Sequence, residues 1–261
     1  MLSHHTESIQ RATDHFKQDP EVLALILGGS LAHGFARPDS DVDVMIVVGD
    51  EAYALRQRSG HMQFFDRELC TYGAGYVDGK YLRPAFVQQV AACGSEPARF
   101  AFQDAQVLFS RVDGLEALVK AAARYPAAGK AERLRRFYAQ FEAWNWYCRE
   151  AVRLNNCYLL GVAVSKLVLF GGRLVLAHNE RLYPYHKWFL RVLEAAPDKP
   201  PDLLDRIWPL YEAPGLASVQ AFYEAVRDFQ PWPSNGSGWP SQFMRDSELN
   251  WLEGPTPVDD L

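Results

Sequence analysis

The chain has 261 residues, 48% of them hydrophobic and 23% charged, which is the profile of an ordinary globular protein with room for one large or two small domains. Lys and Arg number 27 against 32 Asp and Glu, a net charge of -5 that argues against a broad nucleic-acid surface and is compatible with a cationic small molecule. Met1 to His5 carries neither a basic region nor an apolar run, and Cys70, Cys93, Cys148 and Cys157 show no CxxC pairing or metal-ligand spacing, so a cytoplasmic protein with reduced thiols is expected.

In chain order, Glu7 to Gln18 places Ile9, Ala12 and Phe16 at helical spacing and ends at the turn signal Asp19-Pro20. Val22 to Leu27 is an uninterrupted apolar run closed by Gly28-Gly29, the pattern of a buried strand. Val42, Val44, Ile46, Val47 and Val48 mark a second strand, and Glu51 to Arg58 a short helix. Met62 to Tyr72 and Gly75 to Leu82 read as a hairpin parted at Gly73. Pro84 to Ala92 follows as a helix and Ala105 to Ser110 as a last strand.

After Asp113 the sequence is helical almost throughout: Leu115 to Tyr125, Lys130 to Asn155, Leu159 to Ala177, Pro184 to Ala196, Asp202 to Tyr211 and Ser218 to Phe229, with Pro126 and the cluster Pro197 to Pro201 as breaks. Pro231 to Pro240, dense in Pro, Gly, Ser and Trp, reads as a loop or wrapped tail. Tyr158 to Ala177 is long enough to span a membrane, but it contains Lys166, Gly171, Gly172 and Arg173; a buried helix is expected, and no membrane partner. The fold class is therefore α+β, with a mixed-sheet domain over residues 1–112 and a helical-bundle domain over 113–261.

The segment that carries chemistry is Gly28-Gly29-Ser30, ten residues, then Asp41-Val42-Asp43-Val44. Residues two apart on a strand face the same side, so Asp41 and Asp43 project together. Two adjacent carboxylates repel, and a divalent cation resolves the conflict; magnesium favours one or two carboxylates together with substrate phosphates. Two such ions can clamp the attacking and leaving oxygens of an in-line displacement. A glycine-rich turn leaving a strand presents N–H groups to an anion, and the Ser30 hydroxyl adds a donor. Taken singly, a GGS turn is weak evidence and an Asp-x-Asp strand is often a solvated sheet edge.

These residues resemble the signature of the DNA polymerase β-like nucleotidyltransferase superfamily, and the helical second half resembles the two-domain enzymes that modify aminoglycoside and lincosamide antibiotics. The resemblance implies an ATP- or other NTP-dependent transfer of a nucleoside monophosphate to a hydroxyl of a small-molecule acceptor, with two Mg²⁺ ions held by Asp41, Asp43 and a third carboxylate. Asp78, in Tyr76-Val77-Asp78-Gly79-Lys80, is the candidate for that third position; Asp66 and Glu68 compete with it. Gly29 and Ser30 would bind phosphates. Arg37 and, from the helical half, Lys187 on the first turn of the Pro184 helix are further candidates for the nucleotide. Transfer to a protein or RNA and a non-catalytic nucleotide-binding scaffold remain alternatives.

Other residues have both a functional and a structural reading. Lys80 shares Asp78's face and can neutralise phosphate or pair with a sheet acid. His33 fits helix packing better than catalysis. Trp144, Trp146 and Tyr147 on the long helix fit packing better than a ligand platform. Glu142 and Glu150 lie on that same helix with no sequence cue to a partner.

Overall fold

The computed structural model describes residues 1–234, 236, 238–252 and 254. It divides into two compact units, Met1–Tyr125 and Pro126–Leu261. In chain order the first unit contains α1 (Ser3–Gln18), β1 (Val22–Leu27), α2 (Gly29–Ala32), β2 (Val42–Val48), α3 (Asp50–Ser59), β3 (Gln63–Asp66), β4 (Val77–Leu82), α4 (Pro84–Cys93), α5 (Glu96–Phe100), β5 (Gln106–Ser110) and α6 (Leu115–Ala122).

The sheet runs β3-β4-β2-β1-β5 and is mixed: β2 and β4 are parallel, and the other neighbours antiparallel. β1 and, apart from Asp43, β2 are apolar along their length because helices cover both faces of the sheet there. Val42, Val44, Ile46 and Val48 turn to the face covered by Ile9, Ala12 and Phe16 of α1. Met45 and Val47 turn to the other face, against Val87 and Val90 of α4 and Leu115 and Val119 of α6. Each such side chain taken out of water contributes about 1.5–3 kcal/mol.

Local signals set several boundaries. Asp50 and Glu51 occupy the first turn of α3 and Arg56 and Arg58 its last, matching the helix dipole, and Gly60 ends it at φ 76°. Pro84 opens α4. The expected strand from Met62 stops at Asp66, because the Asp66 carboxylate accepts from the N–H groups of Glu68 (2.6 Å) and Leu69 (3.2 Å) and turns the chain. The expected boundary near residue 112 moves to Tyr125, since α6 buries Leu115, Val119 and Ala122 in the core of the first unit.

The second unit contains α7 (Lys130–Arg153), α8 (Cys157–His178), α9 (Phe189–Glu194), α10 (Leu203–Glu212), α11 (Leu216–Arg227) and α12 (Trp239–Asp246), with short 3-10 turns at Ala127–Gly129 and Asn250–Leu252. The stretch from Pro231 to Pro240 is irregular up to α12, and its residues 235 and 237 lie outside the described ones. α8 is long and apolar enough to cross a membrane, yet Ala163, Val164, Leu167, Leu174, Val175 and Leu176 are buried within this unit. Gly171 and Gly172 make room for rings: a Cβ at the first would lie 2.9 Å from Phe222, and one at the second would overlap Phe189. The Arg173 guanidinium lies 4.3 Å from the centroid of Phe137 and 4.4 Å from that of Tyr183, which gives a charge inside an apolar helix a cation–π setting.

The helix expected from Pro184 starts only at Phe189. Tyr185 adopts φ 65°, a left-handed conformation that a helix cannot continue through. Lys187 therefore sits in a turn before α9, exposed, with its ammonium 5.1 Å from the Trp188 ring centroid.

Candidate active site

The turn after β1 and the start of β2 are locked together. Gly28 N–H donates to the Asp43 carbonyl (2.9 Å), extending the antiparallel pairing by one residue. Gly29 then takes φ 60°, and a Cβ there would lie 2.5 Å from the Asp43 Cβ and overlap its carboxylate. Only glycine fits, on grounds of both backbone and space. α2 is a single turn, and Gly34 (φ 71°) follows its His33 cap. The Ser30 hydroxyl oxygen is buried and has no hydrogen-bond partner among the described residues. A buried donor left unmatched is costly, and a phosphate oxygen is the kind of group that would satisfy it.

Register separates the candidate acids by face. In the parallel β2–β4 pair, Asp43 and Asp78 are direct Cα partners, so their side chains share a face. Both are half-buried. Asp66 pairs with Val77 and so turns to the opposite face, where its carboxylate caps the turn described above. Glu68 lies beyond the strand and is exposed. Asp41 stands one residue before β2, half-buried, with Val42 N–H bonded to the Tyr76 carbonyl (3.0 Å) beside it.

Three residues that the sequence pattern did not single out complete this end of the sheet. The Tyr76 phenol is held above its ordinary pKa first by its hydrogen bond to Asp41, and also by the charges of Asp41, Asp78 and Asp43, so it senses all three acids. Gln63 Nε2 donates to Asp78 Oδ1 (3.1 Å). Phe65 is the direct cross-strand partner of Asp78. The available signal was the alternation Gln63-Phe64-Phe65-Asp66 opposite Val77 to Lys80, which yields these neighbours once the hairpin register is known.

The loop carrying Asp41 is braced from below. His4 Nε2 bonds the Pro38 carbonyl (3.0 Å), and the Tyr72 hydroxyl donates to the Ser40 carbonyl. Tyr72 packs on the rings of His4 and His5, and burial pushes its phenol well above the ordinary range. Arg37 is exposed and pairs with Asp39 (3.5 Å) rather than with any acid of the site. Lys80 is exposed on the Asp78 face, two residues along β4. The His33 side chain is 4% exposed, packs on Phe100 (centroids 4.5 Å apart) and lies 3.6 Å from Asp104, so it is a packing histidine. Burial holds its pKa below the ordinary value, against the pull of Asp104.

In the second unit, Glu142 accepts from the Tyr223 hydroxyl (2.9 and 3.0 Å), and Glu150 pairs with Arg153 (2.6 Å). Trp144 donates to Gln140 and packs with Tyr147 and Phe243, as a core aromatic does, while Trp146 is exposed. Lys187 belongs to this unit, and the acids and the glycine turn to the other.

Chemically, the first unit offers carboxylates on one sheet end, a side-chain-free turn against them and a buried hydroxyl. Among the described residues, no three His, Cys, Asp or Glu converge tightly enough to hold a metal ion by themselves. Asp43 and Asp78, with Asp41 nearby, fit a hard divalent cation that completes its shell from phosphate and water.

Residues 9–92 match the family model described as a nucleotidyltransferase domain. No curated protein matches the chain. Among solved structures, the chain is similar to a nucleotidyltransferase-like protein from Exiguobacterium sibiricum 255-15, at 11% identity and a TM-score of 0.48, covering 98% of this chain and 83% of that one. The stretch that matches the family model contains the glycine turn and the three acids.

Proposed function

We propose that the protein is an enzyme that transfers a nucleoside monophosphate, AMP in the first instance, from a magnesium-bound NTP to a hydroxyl of a small molecule, releasing pyrophosphate. Hydroxylated antibiotics are among the acceptors this reading admits, and the cytoplasm is its setting. The observation that carries it is the packing of the Asp43 carboxylate directly on Gly29, which holds an acid of β2 against the main chain of the glycine turn. Magnesium, two ions in this reading, would supply charge neutralisation and Lewis-acid polarisation at the phosphates, held by Asp41, Asp43 and Asp78.

In the reaction, the bond from the acceptor oxygen to the α-phosphorus forms as the bond to the β-bridging oxygen breaks, and the electron pair leaves with pyrophosphate. Gly29 and Ser30 bind the β- and γ-phosphates through N–H groups and the Ser30 hydroxyl. Asp78 orients the acceptor hydroxyl and takes its proton. Tyr76 and Gln63 give up their hydrogen bonds to Asp41 and Asp78 as substrate binds. Arg37 is a further phosphate ligand in this reading, by exchanging its exposed partner Asp39.

The test is pyrophosphate release from Mg-ATP across a panel of hydroxylated compounds, with Asp43→Ala beside the wild type. Acceptor-dependent release that the variant loses supports the reading; equal release by the variant contradicts it. Label from ATP appearing in lysate protein or RNA instead would move the acceptor out of the small-molecule class.

A further inference from the structure

The order of the strands assigns a place to the acceptor. Across this end of the sheet, the glycine turn follows β1, Asp43 lies on β2, Asp78 on β4 and Phe65 on β3. Neighbouring strands are about 4.8 Å apart, so Asp43, against which the glycine turn packs, and Phe65 are separated by about 10 Å, with Asp78 between. In an in-line displacement the attacking and leaving oxygens lie on opposite sides of the α-phosphorus. With pyrophosphate on the glycine turn, the attacking hydroxyl comes from the β4 side, and the body of the acceptor lies beyond it, over β3.

An aromatic surface stands there. Phe65 is 54% exposed although it sits in a strand. Its ring is 5.0 Å from that of Tyr76 with an interplanar angle of 33°, and the Arg67 guanidinium lies 5.7 Å from its centroid. Phe65 is opposite Asp78, while Tyr76 precedes Asp78 by two residues on the same strand course, so both rings lie on the carboxylate face. The other ring of β3, Phe64, turns to the opposite face and packs into the core. Of the two adjacent phenylalanines, one therefore builds the fold and the other is left outside, next to the acid that would receive the hydroxyl proton.

We propose that Phe65 and Tyr76 form a ledge on which a flat ring of the acceptor stacks, and that the acceptor is an uncharged or cationic hydroxyl compound with an aromatic ring close to its reacting oxygen. One strand spacing separates Asp78 from Phe65, which sets that reach at about 5 Å. Asp41, Asp43 and Asp78 beside the ledge repel an acidic ring and tolerate a cationic one. This assignment rests on the nucleotidyl-transfer reading and narrows it to a substrate class.

The test compares 1-phenyl-1,2-ethanediol with its saturated counterpart 1-cyclohexyl-1,2-ethanediol as probes, titrated by NMR into the full chain with Mg²⁺ and a non-hydrolysable ATP analogue. Wild type should bind the phenyl compound about fivefold more tightly, the increment expected of a ring pair beyond its buried area. Phe65→Leu and Phe65→Ala should abolish that preference and leave the affinity for the ATP analogue within about twofold; the exposure of Phe65 makes both variants safe for folding. Equal binding of the two diols by wild type, or an unchanged preference in the variants, overturns the proposal. A variant that loses affinity for the ATP analogue also overturns it, because the ledge would then hold the nucleobase. Failure of wild type to bind the ATP analogue is a separate result, and it refutes the nucleotidyl-transfer reading on which the ledge depends.

Discussion

Gly29 and Asp43 are in contact across the β1–β2 pair in a way that leaves no room for a side chain at position 29: a Cβ there would lie 2.5 Å from the Asp43 Cβ, and the backbone already holds φ 60°. The glycine turn and the acid strand are thus one rigid piece. Gly29→Ala should lose about 1–3 kcal/mol of stability through strain and displace the Asp43 carboxylate. Nucleotide affinity should fall at least about tenfold with it, a difference of about 1.4 kcal/mol. Urea unfolding and calorimetric titration with Mg-ATP measure the two effects.

Register puts Asp78 and Asp66 on opposite faces of the sheet. Asp78→Asn should lower turnover about a hundredfold or more while leaving the unfolding midpoint nearly unchanged, since among the described residues its carboxylate accepts from the exposed Gln63 alone. Asp66→Ala should do the reverse, costing about 1 kcal/mol by releasing the Glu68 and Leu69 N–H groups with little change in turnover. Paired kinetic and denaturation measurements on both variants check the assignment; a kinetic loss confined to Asp66 contradicts it.

Much of this was legible in the residues themselves. The Gly29-Ser30 to Asp41-Asp43 unit is local, because two short strands of the right composition bring it together. The choice among Asp66, Glu68 and Asp78 was not, since each sits in a strand-like run, and a one-residue slip in pairing exchanges the faces. That parity is a tertiary property of the β2–β4 and β3–β4 pairs. Tyr76, Gln63 and Phe65 were hidden for the same reason. The late start of α9 was hidden for another: Pro184 is a fair helix opener, but the left-handed Tyr185 breaks the run and leaves Lys187 in a turn. α5 was missed because a five-residue helix carries too few positions to display a period.

Two buried histidines give the first unit a defined acid response. His5 and His33 both have pKa values below 6.5, chiefly through burial, with His4 adding to the effect on His5. Above pH about 7 they are neutral whether the chain is folded or not, and they add no pH dependence. As pH falls through 6.5, the unfolded chain takes up protons that the folded one resists, so stability declines until the folded pKa values are passed. The urea midpoint should drop between pH 7 and 5.5, and the double variant His5→Gln, His33→Gln should flatten that drop. A midpoint that rises over this window contradicts the assignment.

In the second unit the notch in α8 is filled by aromatic rings, so Gly172→Ala forces Phe189 out of its place. Overpacking of this kind costs about 1–3 kcal/mol. Gly161, with open space around its Cβ position, is the control; its change to alanine should be neutral or stabilising. Thermal unfolding of the two variants side by side is the measurement.

The central claim is that the Gly29–Asp43–Asp78 end of the sheet transfers the α-phosphoryl group with its nucleoside. Its most direct test is parallel incubation with ATP labelled at the α- or the γ-phosphate, Mg²⁺ and a panel of hydroxylated acceptors, using wild type and Asp43→Asn. The account predicts an acceptor-linked product that carries the α label and none of the γ label, with γ label recovered in pyrophosphate, and loss of both signals in the variant. Transfer of the γ label to acceptor, or undiminished product from Asp43→Asn, would contradict it.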